Sequence, residues 1–389
     1  MILNSILDND LYKFTMQNAV IKLFPYSKAR YKFINRGNTQ FPEGFDNELR
    51  KHISAMSSLA LTTEEKLFLE ERCYYLDPTY LDFLRGYQYD QSEVTVIQNA
   101  GELQISIEGY WYRTILWEVP LMALVSELYF KMTNQTALPE KEIIEIVRNK
   151  AVSYRNMAAK VADFGTRRRY SFDNHDLVVR ELVLYCQESF IGTSNVYFAM
   201  KYDLKPIGTH AHEWFMFHST KYGFKMANKL ALDNWVHVYR GDLGIALSDT
   251  FTTDVFFRAF DKKFTKLFDG VRHDSGDPIV FTDKTIAHYN SMRIDPMSKT
   301  IIFSDGLNPK AVESILSYCR GKIGVSFGIG TNFTNDVGVK PLNIVIKLTE
   351  AKPEGQEWEN AVKLSDATGK YTGENHTIQL CKNVLKITD

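Results

Sequence analysis

From Val161 onward the chain repeats one pattern: a short apolar run, a polar cluster, then a stretch with helical spacing. Val161-Ala-Asp-Phe-Gly165 leads into Thr166-Arg-Arg-Arg169, Leu243-Gly-Ile-Ala-Leu247 into Ser248-Asp-Thr250, and Phe268-Asp-Gly-Val271 into Arg272-His-Asp-Ser-Gly-Asp277. Thr300-Ile-Ile-Phe303 precedes Ser304-Asp-Gly-Leu-Asn308, and Ile323-Gly-Val-Ser-Phe327 precedes Gly328-Ile-Gly-Thr-Asn332. Runs so short and so apolar, separated by helices, predict buried strands of a parallel sheet. Each polar cluster then sits at the carboxyl end of its strand, where α/β barrels and open parallel sheets place ligands. No single glycine-rich fingerprint dominates, which favours a barrel.

The flanking segments read differently. A helix is expected within residues 1–26, opened by Asp8 or Asp10 and stopped near Pro25, followed by a strand over Lys28–Asn35. Residues 42–92 read as helical with breaks at Pro78 and Gly86, and Glu93–Ile97 and Leu103–Ile107 as two strands joined by an Asn-Ala-Gly turn. Glu140–Lys160 carries Ile143, Ile144, Val147 and Ala151 on one helical face. After Asn343 the chain returns to alternating segments, Asn343–Leu348 and Thr377–Leu380, around an exposed loop at Lys352–Asn360. That C-terminal stretch is expected to pack on the N-terminal region.

Composition narrows the class. The 389 residues are 44% hydrophobic and 13% aromatic, enough for a large core. A formal net charge of −1 gives no general surface for nucleic acid or anionic membranes. Cys73, Cys186, Cys319 and Cys381 lack paired spacing, as expected of free thiols in a reducing interior. Asp8 and Asp10 interrupt the opening apolar residues, against a secretory signal. Glu118, Pro120 and Glu127 interrupt the greasiest stretch, Thr114–Phe130, against a membrane span. A cytoplasmic globular protein is the expectation.

The chemistry concentrates at the strand ends. Ser304-Asp-Gly306 and Gly328-Ile-Gly-Thr331 bare backbone N–H groups where a phosphate could be cradled, although such glycines also serve as plain turns. Arg272-His-Asp-Ser-Gly-Asp277 combines a cation, two carboxylates and a hydroxyl, a set suited to a ribose diol, Mg²⁺ and an anionic leaving group. Arg167-Arg-Arg169 suits carboxylate or phosphate, or a basic surface patch. Tyr12 and Phe164 could stack on an aromatic ligand or belong to the core.

Gly208-Thr-His-Ala-His-Glu-Trp214 adds two imidazoles at an expected helix start. Three readings stand for them. Zn²⁺ binding finds a poor ligand set, since later strand ends offer Asp, Arg and Gly, with His273 alone as histidine. Capping or core packing suits His210. A phospho-accepting His212, oriented through its other ring nitrogen by a carboxylate, is the third, with Asp249 the expected partner.

The ordered set Asp10-x-Tyr12-Lys13, Asp163-Phe-Gly-Thr-Arg167, Gly192-Thr-Ser194, Ala211-His-Glu-Trp214, Ser248-Asp249, Arg272-x-Asp-Ser-Gly-Asp277, Ser304-Asp-Gly306 and Gly328-x-Gly-Thr-Asn332 resembles the nicotinate phosphoribosyltransferase family. The match runs from residue 8 to about 345, and the pairing of His-Glu-Trp with Arg-x-Asp-Ser-Gly-Asp is highly specific. The resemblance implies an irregular, TIM-like α/β barrel over residues 120–342 beside an α/β sandwich domain from residues 1–119 and 343–389. It also implies a homodimer with shared active sites, to which Tyr12 and Arg36 of the N-terminal region contribute.

The implied reaction joins nicotinate to 5-phosphoribosyl-1-pyrophosphate, giving nicotinate mononucleotide and pyrophosphate, with ATP hydrolysed and Mg²⁺ required. By the same resemblance His212 is the phosphorylated histidine and Asp249 its orienting partner. Phe164 and the other subunit's Tyr12 would sandwich the pyridine ring, while Arg167 and Arg272 engage anionic groups. Asp274 would face the ribose, with Asp277 near the diphosphate and Mg²⁺. Ser304, Asp305 and Thr331 belong to the implied substrate set, and Gly306, Gly328 and Gly330 would offer amides to the 5′-phosphate. Nicotinamide-using relatives carry an acidic residue at the position of Ser194. Ser194 beside Thr193 suits an anionic carboxylate instead, free of like-charge repulsion. His210 is given no catalytic role.

Overall fold

The computed structural model describes residues 2–367 and 371–387. The repeated apolar runs become six parallel strands: β4 (Val161–Asp163), β5 (Phe190–Thr193), β6 (Ile245–Leu247), β7 (Gly270–His273), β8 (Thr300–Phe303) and β9 (Gly324–Ile329). They lie in the order β5-β4-β9-β8-β7-β6. Every pairing is parallel. Strand β5 went unrecognised in the apolar pattern, because two apolar residues followed by Gly192 and Thr193 read equally well as a turn.

Between the two outer strands an extended segment, residues 205–209, does the work of a strand. Thr193 N–H donates to Lys205 O at 3.3 Å, and Ile207 N–H to Thr193 O at 2.9 Å. At the other side Thr209 Oγ1 donates to Ile245 O at 3.0 Å. The parallel sheet therefore closes into an irregular barrel. Gly192 makes the closure feasible: its φ is +142°, and a Cβ there would fall 2.1 Å from Lys205 O. The closing segment runs directly into the helix His212–Tyr222, so barrel closure sets where His212 begins.

A second, antiparallel sheet takes strands from both chain ends. It consists of β1 (Lys28–Asn35), β2 (Val94–Asn99), β3 (Glu102–Tyr110), β10 (Ile344–Lys352) and the two-residue β11 (Glu359–Asn360). Their order is β11-β10-β1-β3-β2. Strand β3 shows why one face turns inward: Leu103, Ile105 and Ile107 are buried, while Gln104, Ser106 and Glu108 are exposed. The loop expected at Lys352–Asn360 thus ends in a short strand. The last stretch departs further from expectation: Thr377–Leu380 lies inside the helix Asn375–Leu385, whose Ile378, Cys381 and Leu385 are buried at helical spacing. That helix packs on the helix Phe224–Tyr239 rather than on the N-terminal region, and Leu385 O accepts from Arg258 Nη2 at 3.1 Å.

Three elements meet at one buried ammonium. Lys13, on the helix Leu11–Leu23, is fully buried with Nζ 2.6 Å from Glu118 Oε2 and 2.6 Å from Glu213 Oε2. Glu118 opens the helix Glu118–Met132, and Glu213 lies in the first turn of the helix that His212 begins. Glu213 also accepts from Trp111 Nε1 at 2.6 Å and from the Tyr31 hydroxyl. Trp111 in turn stacks on Phe217, ring centroids 4.0 Å apart, which fixes the same helix from its apolar side. A parallel clamp joins Asp8 to Arg169 through two bonds of 2.7 Å, with both side chains fully buried.

Removing one partner of a buried ion pair strands the other charge in a low-dielectric setting. The substitution Lys13→Met keeps the stem and leaves two buried carboxylates without their cation. It is expected to lower unfolding free energy by about 3–5 kcal/mol in denaturant titration. A loss below about 1 kcal/mol, typical of exposed pairs, would contradict this reading.

Candidate active site

His212 is the first residue of its helix, where unpaired N–H groups and the dipole favour negative charge. Its imidazole is held from both sides. Nδ1 lies 3.0 Å from Thr250 Oγ1, and Nε2 lies 3.0 Å from Asp274 Oδ2. Asp249 Oδ1 is 3.7 Å from that same Nε2. Nδ1 thus meets the Thr250 hydroxyl, and the carboxylate hydrogen-bonded to the ring is Asp274, with Asp249, anticipated from the motif, beside it. Both acids follow β6 and β7 and converge on one atom.

The electrostatics follow from burial and pairing. Burial, reinforced by Lys363, pushes the His212 pKa down to about 4 against the pull of Asp249 and Asp274, so the ring is neutral near pH 7. Burial works against the Asp274 carboxylate, but Arg272 and His212 outweigh it and hold its pKa well below the usual range. Asp249 is likewise held low, since His212 and Lys363 overcome its burial. Its Oδ2 accepts from Ser275 Oγ at 2.6 Å and lies 3.4 Å from Lys363 Nζ. Arg272 donates to Asp274 Oδ1 at 2.8 Å and to Ser304 Oγ at 2.9 Å, and Ser304 Oγ donates to Asp274 Oδ1 at 2.7 Å.

A small cavity of about 50 Å³ opens at this point, bordered by His212, Asp274, Arg272, Arg167, Glu118, Tyr12 and Lys347. Phe164 does not reach it. Phe164 borders a larger cavity of about 720 Å³ that Arg272 also lines, with the Arg272 guanidinium 5.8 Å from the Phe164 ring centroid. Within one chain Tyr12 and Phe164 thus face different cavities.

Behind them lies a third cavity of about 420 Å³, lined by Ser304, Asp305, Gly306, Gly328, Gly330 and Thr331 together with Arg168. All six residues expected around a phosphate are therefore brought together. Gly328 has a second duty: a Cβ there would lie 2.3 Å from the Phe164 ring. Burial, then the like charges of Arg167 and Arg36, push the Arg168 pKa down to about 10. An anion in this cup would relieve that repulsion.

Other expected residues stand apart or are already engaged. Thr193 Oγ1 donates to Asp163 Oδ2 at 2.7 Å, and Ser194 Oγ donates to Asp10 Oδ1 at 2.8 Å, with all four residues buried. Arg36 is exposed at the end of β1. Asp277 is exposed, and its Oδ1 accepts from Ile279 and Val280 N–H as the cap of the helix Pro278–Ser291. His210 is buried; its Nε2 accepts from Leu247 N–H at 3.2 Å and its ring packs on Phe215 and Trp235. That is the structural role the core-packing reading gave it.

Among the described residues one group could hold a metal ion: His212, Asp249 and Asp274, with ligand atoms within 4.8 Å of one another. Asp249 Oδ1 is buried without a hydrogen-bond partner. Two carboxylates with one uncommitted oxygen fit a hard cation such as Mg²⁺, which takes few protein oxygens and completes its shell with water and phosphate. Asp277 is not in that group. Thr250, Lys347, Lys363, Glu118 and the Lys13–Glu213 pair were missed as site residues. Thr250 had a visible signal, following Ser248-Asp249 directly, and Lys13 and Glu213 stood inside the ordered motifs; Lys347, Lys363 and Glu118 had none.

The four cysteines are free and buried, and no helix among the described residues is long and apolar enough to cross a membrane. The model of the nicotinate phosphoribosyltransferase family matches residues 159–389, and that of its N-terminal domain matches residues 7–126. A nicotinate phosphoribosyltransferase of Chromohalobacter salexigens is 60% identical over 99% of both chains, and one of Desulforapulum autotrophicum is 52% identical over 99% of both. The crystal structure of nicotinate phosphoribosyltransferase from Porphyromonas gingivalis superposes with a TM-score of 0.97 at 48% identity, covering 99% of this chain and 100% of that one. The Vibrio cholerae enzyme gives 0.93 at 33% identity, covering 100% and 94%. With both chain halves matched and the strand-end clusters in place, the chain belongs to the nicotinate phosphoribosyltransferase family.

Proposed function

We propose that the protein transfers the phosphoribosyl group of 5-phosphoribosyl-1-pyrophosphate to nicotinate, driven by ATP through a phosphohistidine at position 212. The observation that carries this reading is the His212 imidazole at a helix start, held between Thr250 and Asp274 beside Arg167 and Arg272. The His212 ring borders the cavity, and its Nε2 carries the proton that is donated to the ionised Asp274 carboxylate. The Nδ1 lone pair bonds the γ-phosphorus of ATP as the bond to ADP breaks, the Thr250 hydroxyl turning aside. Water later cleaves the P–N bond and releases phosphate.

In the transfer itself the pyridine nitrogen bonds the anomeric carbon as the bond to pyrophosphate breaks. The chain's part is to orient the two reactants and balance charge. The glycine cup with Arg168 holds the 5′-phosphate, Arg167 and Arg272 meet the other anionic groups, and Asp274 faces the ribose. Mg²⁺ bound by Asp249 and Asp274 would screen the charge of the departing diphosphate. Phosphorylation adds negative charge on this rim, and ATP helps only through the resulting difference in affinity for the sugar donor.

The separation of Tyr12 from Phe164 within one chain supports a homodimer in which Tyr12 completes the partner's pyridine site. The Ser194–Asp10 bond bears on substrate choice. Ser194 reads the nicotinate carboxylate only by turning its hydroxyl away from Asp10.

Nicotinate is expected to exceed nicotinamide in kcat/KM by at least about 100-fold, a margin set by polar complementarity in the pyridine site. Equal turnover of the amide would overturn that assignment. His212→Ala should keep slow transfer from the sugar donor and lose all stimulation by ATP; a variant still stimulated would remove the phosphohistidine. Because the folded pKa of His212 lies near 4, below the ordinary histidine value, the imidazole stays neutral down to mildly acid pH. The ATP-dependent rate should therefore stay flat between roughly pH 5.5 and 7.5 as far as this group is concerned. A fall in the ATP-dependent rate on protonation near pH 6.5, absent from the ATP-independent rate, would contradict the buried, desolvated ring.

A further inference from the structure

Lys347 lies in the middle of β10, between buried Ile346 and Leu348 and opposite the exposed Lys32 of β1. By alternation it belongs to the solvent-facing side of the sheet. It borders, however, the small cavity that contains His212, Asp274, Arg272, Arg167 and Glu118. The neighbouring acids are already taken. Glu118 has Lys13 at 2.6 Å and Arg167 at 3.7 Å, Asp274 has Arg272 at 2.8 Å and His212 at 3.0 Å, and Asp249 has Lys363 at 3.4 Å. Among the described residues no carboxylate oxygen lies within 4.0 Å of the Lys347 ammonium.

The groups facing it come from every neighbouring element: Glu118 from its helix, Arg167 from the turn after β4, Asp274 after β7, Lys363 after β11 and Lys32 on β1. Burial, with Lys363 and Arg167 adding to it and Glu118 and Asp274 opposing, pushes the Lys347 pKa down to about 8. An uncommitted ammonium beside other cations is a cost that an arriving anion offsets. The cavity sets the size of that anion. At about 50 Å³ it holds several times the roughly 10–15 Å³ that one water needs. A phosphoryl group fits in that space, whereas a nucleoside does not.

We propose that Lys347 binds the phosphoryl group delivered to His212, donating its N–H groups to the phosphoryl oxygens as countercharge to the phosphohistidine. The inference rests on the phosphohistidine reading for its substrate and on the cavity for its chemistry. Lys347 forms no covalent bond; the bonds made and broken remain those at the His212 ring and the phosphorus. Strand β10 thereby couples the antiparallel sheet to the barrel rim: phosphorylation draws Lys347 onto His212, and hydrolysis frees it.

Wild type, Lys347→Met and Lys347→Arg are compared at pH 7, with melting temperatures confirming that all three fold. Inorganic phosphate binding is followed by calorimetry, and acid-labile phosphate from labelled ATP is counted on the protein. Lys347→Met is expected to weaken phosphate binding at one site and to lower the phosphoenzyme level, each by about tenfold or more. The KM for nicotinate should stay within about twofold, since no contact with the pyridine is lost. Lys347→Arg should restore both phosphate readouts. Unchanged phosphate binding and phosphoenzyme in Lys347→Met overturn the proposal, as does a nicotinate KM shifted as far as the phosphate readouts. If wild type itself forms no phosphoenzyme, the phosphohistidine reading fails, and the phosphate titration alone decides for or against Lys347.

Discussion

A single buried ammonium holds the working parts of this molecule in register. Lys13 reaches from the N-terminal helix to Glu118 and Glu213 at once, and Glu213 directly follows His212. Without that cation Glu213 would keep only its Trp111 and Tyr31 donors and Glu118 only the more distant Arg167 and Lys347, whereas with it burial of all three is tolerated. Burial raises the Glu118 pKa, but Lys13, Lys347 and Arg167 outweigh it and keep the group ionised. The same contact therefore joins three elements and sets the charge on one wall of the cavity. Trp111 and Tyr31, donating to Glu213, extend the hold to β1 and the end of β3.

From that anchor the site follows as an arrangement of opposed charges around one neutral ring. The barrel contributes its strand-end acids, Asp249 and Asp274, and its arginines, Arg167, Arg168 and Arg272. The antiparallel sheet contributes Lys347, and the segment after β11 contributes Lys363. On the proposed reading, near-balance among these groups would let a phosphate arrive and later leave. A rim with only cations would hold phosphate too well, and one with only acids would refuse it.

The strand-end clusters were legible because their physics is local. A run such as Thr300–Phe303 has no other way to bury itself, and glycines or Asp at its end mark a turn wherever they occur. Residues whose roles depend on distant partners were not legible. Lys13 and Glu213 are 200 residues apart. Lys347 sits in an alternating strand where a lysine ordinarily means solvent. The segment 205–209 adopts an extended path because Thr193 and Ile245 offer it hydrogen bonds, not because of its own propensity. The choice of Asp274 over Asp249 as the carboxylate hydrogen-bonded to His212 has the same origin: the two acids end neighbouring strands, and only geometry could choose between them.

The account depends on the His212 imidazole as phosphoryl acceptor. The most direct test is to incubate the protein with ATP labelled in the γ-phosphate, digest it at neutral pH and locate the label by mass spectrometry. The account predicts one acid-labile phosphate per chain, on the peptide containing His212, lost when nicotinate and the sugar donor are added together. Full-speed, ATP-stimulated product formation with no label on that peptide would contradict it.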